Sequence, residues 1–300
     1  MIFSNNATVL ATPVESLLHW IIEREAIRRR RAAGAPPPWT DDPILRAWSF
    51  CNVRREDDRV THWVAENWRG PHADDPDLFF AMCVARFVNW PNTLTEIGFP
   101  IPWDPDRFLS VMAARRDRGE KLYGDAYMIR ADPQGTGGDK ASYQAAKVFR
   151  PLWLARERMR PREKMTLAEF NGMLARFHGL GGGFMSAQVV ADMKYVEPLR
   201  SAFDWVTFAA SGPGSRRGLN RVLDRPVDAR WDEYRWLTKL RQLRETISPR
   251  LDEIGLGDLH AQDIQNCLCE FDKYERVRLD EGRPKRRFVP RHPPVAVAAE

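Results

Sequence analysis

Cysteine is scarce in this 300-residue sequence, which has only four residues of this type: Cys51, Cys83, Cys267 and Cys269. No two of them have the CxxC spacing of a zinc knuckle or ribbon, so the sequence predicts no metal site of that kind. A cysteine-ligated iron–sulfur cluster needs four suitably spaced cysteines close together, and no such set occurs. We therefore expect reduced thiols and no metal bound by cysteine.

Long apolar runs and a nucleotide-binding loop are also lacking. No apolar run approaches the roughly 20 residues that span a bilayer, and the N-terminus lacks the basic-then-apolar order of a signal peptide. The glycine-rich segment 135–140 has no glycine directly before its lysine and no hydroxyl directly after it, so it is not a P-loop. These absences predict a soluble, cytoplasmic protein without a nucleotide kinase domain in this sequence and without a membrane partner.

The residues that are present indicate a large helical core and a polyanionic partner. Hydrophobic residues make up 43% of the chain, and 46 Lys and Arg against 41 Asp and Glu give a net charge of +5. Apolar periodicity and capping signals predict helices at 13–33, 42–69, 74–90 and 104–118, and a short strand at 127–130. We predict an N-terminal helix and proline-rich linker at 1–40, a helical domain at 41–281 and a mobile basic tail at 282–300 that touches nucleic acid.

The segment 166–192 has the pattern of two helices joined by a glycine hairpin. Thr166 and Glu169 form a capping box that starts the first helix, and the second helix starts inside the glycines. Backbone N–H groups at Gly179, Gly181 and Gly183 are then open to a DNA phosphate, because no side chain blocks its approach. An ordinary turn, with glycines that only permit tight packing, remains the alternative.

Three further groups of residues combine charge with helical or loop spacing. Segment 50–61 is predicted to be helical and to present Asn52, Arg54 and Arg55 to phosphate oxygens, the alternative being exposed ion pairs. In segment 263–276, Glu270, Lys273 and Tyr274 fall on one side of a helix. The loop after Ser211 exposes backbone donors beside two arginines, and the alternative is an ordinary interhelical loop. Its candidate DNA-binding residues are Gly212, Gly214, Ser215 and Arg216.

Four segments in this order, residues 50–63, 179–195, 210–220 and 263–278, carry a family resemblance. Together they resemble the α-glutamyl/putrescinyl thymine pyrophosphorylase family of DNA-modifying phages. They also look like the helical domain attached to phage 5-hydroxymethyluracil DNA kinases. The resemblance covers about residues 45–280 and implies a mainly α, helix-hairpin-helix DNA glycosylase-like fold. It also implies a location in the cytoplasm of an infected bacterial cell.

The resemblance implies an amine transfer to a modified base that is already in double-stranded DNA. Pyrophosphate on the 5-hydroxymethyl group of uracil is displaced by an amino acid or polyamine, with the nucleotide extruded into a helical cleft. No cofactor is assigned, and a divalent cation is left open. The absence of a hairpin lysine after Gly181 and of iron–sulfur cysteines separates this reaction from base excision. A glycosylase or lyase, and a noncatalytic DNA-binding subunit, remain the alternatives.

The same resemblance assigns roles to the charged residues. We expect Asn52, Arg54, Arg55 and Arg276 to bind the departing pyrophosphate, together with Lys273. A carboxylate must accept the proton of the amine or orient it, and we rank Asp192 first because related glycosylases keep an aspartate one helix beyond the hairpin. Glu270 and Asp272 follow in that order. The sequence does not select the amine donor, the oligomeric state or the need for a metal.

Overall fold

The structure is a computed structural model that describes residues 12–126, 139–284 and 286–289, and the regular elements of this part of the chain are helices. The α-helices are α1 Pro13–Ala32, α2 Pro43–Ala47, α3 Arg59–Val64, α4 Leu78–Val88, α5 Pro91–Ile97, α6 Pro105–Asp117, α7 Lys140–Tyr143, α8 Arg150–Leu154, α9 Arg156–Met159, α10 Leu167–Leu174, α11 Phe184–Met193, α12 Pro213–Val222, α13 Glu233–Asp252 and α14 Ala261–Arg278. Short 3₁₀ turns lie at Arg55–Asp57 and Leu199–Ser201, and π-helical turns lie at Ala65–Arg69 and Gln144–Phe149. The predicted mainly α fold class is confirmed.

The chain forms two compact units. Unit 1 comprises Met1–Arg55, Gly212–Leu259 and Asp263–Glu300, and it therefore contains α1, α2, α12, α13 and α14 from Asp263 onward. Unit 2 comprises Glu56–Ser211 and His260–Gln262, with α3 to α11. This division differs from the predicted boundaries at 40 and 281, because residues before 40 and after 281 share a unit with much of the predicted central domain.

Capping residues start the helices that position the candidate residues. The Thr12 side chain accepts from the Glu15 N–H at the start of α1, with Glu15 returning a bond to the Thr12 backbone. Thr166 and Glu169 do the same at the start of α10. The predicted helices 13–33 and 104–118 are confirmed as α1 and α6, and the predicted helix 74–90 contains the shorter α4.

The predicted continuous helix over 42–69 is wrong. Residues 48–54 separate α2 from a 3₁₀ turn, and α3 begins only at Arg59. Side chains from elsewhere in unit 1 bind the backbone of this segment and of the residue after it. Glu270 accepts from the Cys51 N–H, Arg24 donates to the Cys51 carbonyl, and Asp263 accepts from the Arg55 N–H. A helix would use those backbone groups internally, so these contacts replace helical hydrogen bonds.

Part of the predicted mobile tail contacts other residues of unit 1. Trp48 and Arg287 form an antiparallel bridge, and the Phe288 N–H donates to the Ala47 carbonyl at 2.9 Å. The Phe288 ring also packs edge-on against Trp39. Residues 286–288 therefore pack against other residues of unit 1, and the mobility of the tail stays a prediction. The rest of the tail beyond 289, and the predicted strand at 127–130, lie outside the described residues.

The core of unit 2 is built around α4. Every residue from Leu78 to Val88 is buried, and α4 packs against α11. Phe80 and Phe87 meet Phe149 edge-on, with ring centroids 6.2 Å and 5.5 Å apart. Arg86 is the single charged residue of this helix, so it requires a buried partner.

Candidate functional site

The segment 50–55 lies alongside α14 in unit 1 and is held there by polar contacts from both α14 and α1. The Arg24 guanidinium from α1 donates to the Cys51 carbonyl at 2.9 Å and to the Asn52 side-chain oxygen at 2.6 Å. Asn266 donates to the Asn52 carbonyl at 3.3 Å. These bonds fix the segment in a non-helical conformation, and the fixed Cys51 N–H points to Glu270 on α14.

Glu270 and Lys273 form a pair on one side of α14, as the helical spacing predicts. The Oε2 atom of Glu270 accepts from the Cys51 N–H at 2.9 Å and from the Lys273 Nζ at 2.6 Å. Within the part of the chain that the structure describes, Oε1 of Glu270 makes no hydrogen bond. The Glu270 side chain is 6% exposed and that of Lys273 is 26% exposed. We call Arg24, Cys51, Asn52, Glu270 and Lys273 the α14 site.

The charge state of Lys273 follows from its surroundings. Burial by itself lowers the pKa of this ammonium, but the nearby carboxylate of Glu270 outweighs burial, so the pKa is raised above 10.5. Burial also raises the pKa of the neighbouring Cys269 thiol to about 12. At neutral pH Lys273 is therefore a cation, and the adjacent Cys269 is a protonated thiol.

Asp272 has a different environment on the same helix. Its side chain is fully buried and accepts from Arg217 at 2.9 Å and from Arg221 at 3.0 Å, both on α12. The Arg276 guanidinium lies 3.5 Å away. Both oxygens of Asp272 are thus engaged by guanidinium groups, and the carboxylate links α12 to α14.

The four residues predicted to bind pyrophosphate do not converge on one point. Arg54 donates to Asp258 and to the Gly255 carbonyl. The backbone N–H of Arg55 donates to Asp263 near the start of α14. Arg276 lies thirteen residues after Asp263 on α14, so these two positions are about 20 Å apart at a rise of 1.5 Å per residue. Only Asn52 belongs to the α14 site. The predicted placement of Asn52, Arg54 and Arg55 on a helix is wrong, as the break in the helix shows.

Asp192, ranked first as the base, lies in the core of unit 2. It is fully buried on α11, and both of its oxygens accept from the Arg86 guanidinium, one of them from Nε at 2.6 Å. Arg86 also donates to the Thr61 hydroxyl at 3.2 Å. A base needs a free acceptor oxygen within reach of the amine. The catalytic role of Asp192 stays a prediction, and the geometry ranks Glu270 ahead of it.

The glycine hairpin, defined as residues 175–183, contains glycines of two kinds. Gly179 has φ +81°, and a Cβ there would lie 2.9 Å from Val148 and 3.2 Å from Phe87, so packing requires this glycine. Gly181 is exposed, and a Cβ there would make only an ordinary contact at 3.7 Å. Gly183 has φ +78° and occupies the N-cap of α11. Only Gly181 combines exposure with a backbone that an added methyl group leaves undisturbed.

The second predicted anion-binding loop is a packing contact in unit 1. Ser215 closes the start of α12 by accepting from the Gly212 N–H at 2.9 Å. A Cβ at Gly214 would lie 2.4 Å from the Cys269 sulfur, so the absence of a side chain lets α12 approach α14. Arg216 pairs with Glu233 at 3.3 Å. Within the described chain, Gly212 and Ser215 are buried, which disfavours their predicted contact with DNA.

Two arginines that hold candidate residues in place were not predicted from the sequence. Arg24 holds the segment 50–52, yet it is one of several charged residues of α1, and no local motif distinguishes it from the others. Arg86 has a detectable signal, since it interrupts an otherwise wholly apolar helix and so predicts a buried acid nearby. Asp192 is that acid.

Two features are absent from the described residues: a side-chain cluster for a metal ion and a helix that could span a membrane. No group of three or more His, Cys, Asp or Glu side chains is placed there to hold a metal ion. Among the same residues, no helix has the length and apolarity to cross a membrane.

Known proteins similar to the chain place it in one family. A family model described as the helical domain of 5-hmdU DNA kinase matches residues 12–283. The sequence is also 26% identical over 278 residues to a 5-hmdU DNA kinase of Bacillus phage SP10, a match that covers 85% of this chain and 43% of the phage protein. The chain thus spans less than half of that relative. No solved structure matches.

Proposed function

Because the chain belongs to the 5-hmdU DNA kinase helical-domain family, we propose that it acts in the hypermodification of thymine in phage DNA. In the proposed reaction, the amine of an amino acid or polyamine displaces pyrophosphate from 5-pyrophosphoryloxymethyl-uracil in duplex DNA. Since the chain covers only 43% of the phage kinase, that protein's own activity is not transferred to it. The sequence has no P-loop, which favours a reaction other than phosphoryl transfer for this region.

The observation that carries the proposal is the Glu270–Lys273 pair. It combines a carboxylate oxygen that makes no hydrogen bond within the described chain with an ammonium that stays charged at neutral pH. Amine transfer needs both, because the reaction releases a proton from nitrogen and negative charge onto pyrophosphate. The Cys51 N–H fixes Oε2 of Glu270, so Oε1 of the same carboxylate also has a defined position.

The proposed step has a balanced course of bonds and charges. The amine nitrogen forms a bond to the exocyclic methylene carbon of the base, while the bond from that carbon to the pyrophosphate oxygen breaks and the electron pair leaves with pyrophosphate. Glu270 accepts the proton that the nitrogen loses, and Lys273 balances negative charge on the leaving group. Asp192 and Asp272 act as counter-ions that hold helices together.

The glycine hairpin supports DNA as the substrate. An exposed backbone at Gly181, just before α11, suits a phosphate that approaches without meeting a side chain. The pattern of two helices joined by this turn also favours kinship with helix-hairpin-helix DNA glycosylases, whose members extrude the target nucleotide. We propose that the hairpin holds the DNA backbone while the modified base leaves the stack.

Mass spectrometry of nucleosides tests the proposal. The purified chain is incubated with duplex DNA that carries 5-pyrophosphoryloxymethyl-uracil and with a pool of amino acids and polyamines, while pyrophosphate release is followed in parallel. We expect a new amine-bearing nucleoside and one pyrophosphate for each base converted. Thymine DNA is the matched control and should stay unchanged.

Two results would overturn the proposal. Abasic sites without a new nucleoside would identify a glycosylase or lyase. Unaltered nucleosides despite tight DNA binding would identify a noncatalytic DNA-binding subunit. Replacing the pool by single amines then identifies the donor.

A further inference from the structure

A second cationic region of unit 1 lies at the start of α13, apart in sequence from the segments that form the α14 site. A cleft of about 430 Å³ opens there. Its walls carry four cationic side chains against the single carboxylate of Asp232; the charged and aromatic lining residues are Arg225, Arg230, Trp231, Asp232, Arg235 and Lys239. We call this the basic cleft.

The loop that forms the basic cleft is held in a fixed shape by Asn220 on α12. The Asn220 amide donates to the carbonyls of Val227 and Ala229, both at 2.9 Å, and its oxygen accepts from the Trp231 indole at 2.8 Å. Asn220 is 1% exposed, so these bonds are shielded from water. The loop therefore presents a preformed wall.

Arg225 is the innermost cation of the cleft. Its guanidinium carbon lies 3.8 Å from the centroid of the Trp231 ring, and one nitrogen donates to the Arg230 carbonyl at 3.4 Å. The other terminal nitrogen, Nη1, is buried and has no hydrogen-bond partner among the described residues. A buried charged donor without an acceptor is costly, and an anion at this point would supply the acceptor.

The remaining cations lie at the open side of the cleft. Arg235 and Lys239 are four residues apart on α13, so they lie along one face of the helix. Arg230 and Lys239 have no carboxylate partner in the described part of the chain, whereas Arg235 lies 3.4 Å from Asp232. Lys239 donates to the neutral side chain of Gln242 at 2.9 Å. Exposed cations, two of which lack a carboxylate partner among the described residues, suit an extended polyanion.

We propose that the basic cleft binds phosphate groups of the DNA backbone, with Arg225 Nη1 donating to one phosphate oxygen and the outer cations following the strand. This inference rests on the proposed function, because it takes DNA as the polyanion. It adds a DNA contact in unit 1 that none of the sequence motifs indicated. Such contacts are independent of base sequence and set position and affinity.

The salt dependence of DNA binding tests the inference. The triple variant Arg230→Ser, Arg235→Ser and Lys239→Ser removes only exposed side chains and leaves the Arg225–Trp231 stack. A variant with the same charge change, Arg46→Ser, Arg200→Ser and Arg250→Ser, is the matched control. Affinity for unmodified duplex DNA is measured over a range of salt concentrations. Removal of one phosphate-binding cation reduces the magnitude of the slope of log K against log salt concentration by about 0.9. The magnitude should therefore fall by about 2.7 in the cleft variant and by less than about 0.9 in the control.

A conservative variant checks the role of the buried nitrogen. Arg225→Lys keeps the charge but lacks the guanidinium fork, so we expect about tenfold weaker DNA binding with a salt slope close to that of the wild type. Full affinity in Arg225→Lys would overturn the role assigned to Nη1.

The outcomes separate this inference from the proposed function. If the wild type does not bind DNA, the proposed function fails. If the wild type binds DNA and the cleft variant keeps the slope of the control, the cleft assignment alone is overturned. Titration with inorganic pyrophosphate distinguishes the other source of phosphate. If the cleft variant no longer binds pyrophosphate but the salt slope of its DNA binding is unchanged, the assignment of DNA as the occupant of the basic cleft is overturned.

Discussion

Unit 1 and unit 2 each contain a carboxylate that ranked among the candidate bases, and the two differ in how their oxygens are used. Asp192 in unit 2 is fully buried, and Arg86 engages both of its oxygens. Glu270 in unit 1 uses Oε2 for two hydrogen bonds, while Oε1 makes none within the described chain. A carboxylate with both oxygens bound to one buried cation supports the fold, whereas one with an unengaged oxygen retains the capacity to accept a proton.

Removal of one member of the buried pair should have the largest effect on stability. Asp192→Asn leaves the Arg86 guanidinium without a countercharge in the core of unit 2. We expect the free energy of unfolding to fall by about 3–5 kcal/mol, measured by urea denaturation. The double variant Arg86→Met with Asp192→Leu is the control and should recover much of this loss, because it removes both charges. A loss below about 1 kcal/mol for Asp192→Asn would contradict a structural role.

Removal of the positive charge of Lys273 should lower turnover. Lys273→Met keeps much of the side-chain volume but removes the cation that balances the leaving pyrophosphate. We expect turnover to fall by about 10²-fold in single-turnover assays with only a small change in DNA affinity. Arg278→Met, on the same helix and paired with Glu275, is the matched control and should retain its activity. Equal reductions in the turnover of both variants would show that Lys273 contributes only through the overall positive charge of α14.

The pH dependence of the same residue has a defined sign. Because the folded-state pKa of Lys273 is raised, its ion pair contributes stability below pH 10.5 and loses that contribution as pH rises through the raised pKa. Titration of Lys273 should therefore cause no change in turnover at neutral and mildly alkaline pH. A fall in wild-type turnover at lower pH that Lys273→Met abolishes would contradict this assignment.

A smaller effect distinguishes packing from DNA binding at the start of α12. Gly214→Ala places a methyl group 2.4 Å from the Cys269 sulfur, so α12 must move away from α14. We expect a decrease of about 1–3 kcal/mol in the free energy of unfolding, with the salt slope of DNA binding unchanged. A reduced slope in a variant of wild-type stability would restore the predicted role of this loop in DNA binding.

The smallest effect concerns the glycine hairpin of unit 2. Gly181→Ala meets only an ordinary contact within the fold, so stability should stay near that of the wild type. If the backbone at Gly181 binds one phosphate, the methyl group should lower the salt slope by about 0.9. Gly179→Ala is the contrasting variant, because its positive φ and close neighbours predict reduced stability instead. An unchanged slope in Gly181→Ala would exclude this contact.

Local signals were sufficient for much of the fold. The capping box at Thr166 correctly placed the start of α10, and capping signals correctly placed the start of α1, because the partners of each box lie within four residues. The side of α14 that carries Glu270 and Lys273 also followed from spacing alone. These features depend on neighbours in sequence, which a single sequence contains in full.

The errors arose where distant residues decide the outcome. The segment 50–55 has helical spacing, but Glu270, Asp263 and Arg24 bind its backbone from positions far along the chain. The same limit applies to Asp192, whose partner Arg86 lies 106 positions away. Whether a carboxylate has an unengaged oxygen is a property of such distant contacts, so spacing alone could not rank the candidate bases.

The most direct test of the central claim compares Glu270→Gln with Asp192→Asn on pyrophosphorylated DNA. Single-turnover rates are measured at a temperature at which both variants are folded, as verified by circular dichroism. Removal of a positioned base costs roughly 10²–10⁴-fold in rate, so Glu270→Gln should be slower by that factor. Asp192→Asn, once folded, should stay close to the wild-type rate. Wild-type turnover in Glu270→Gln, with a folded but inactive Asp192→Asn, would contradict the account and place the base in unit 2.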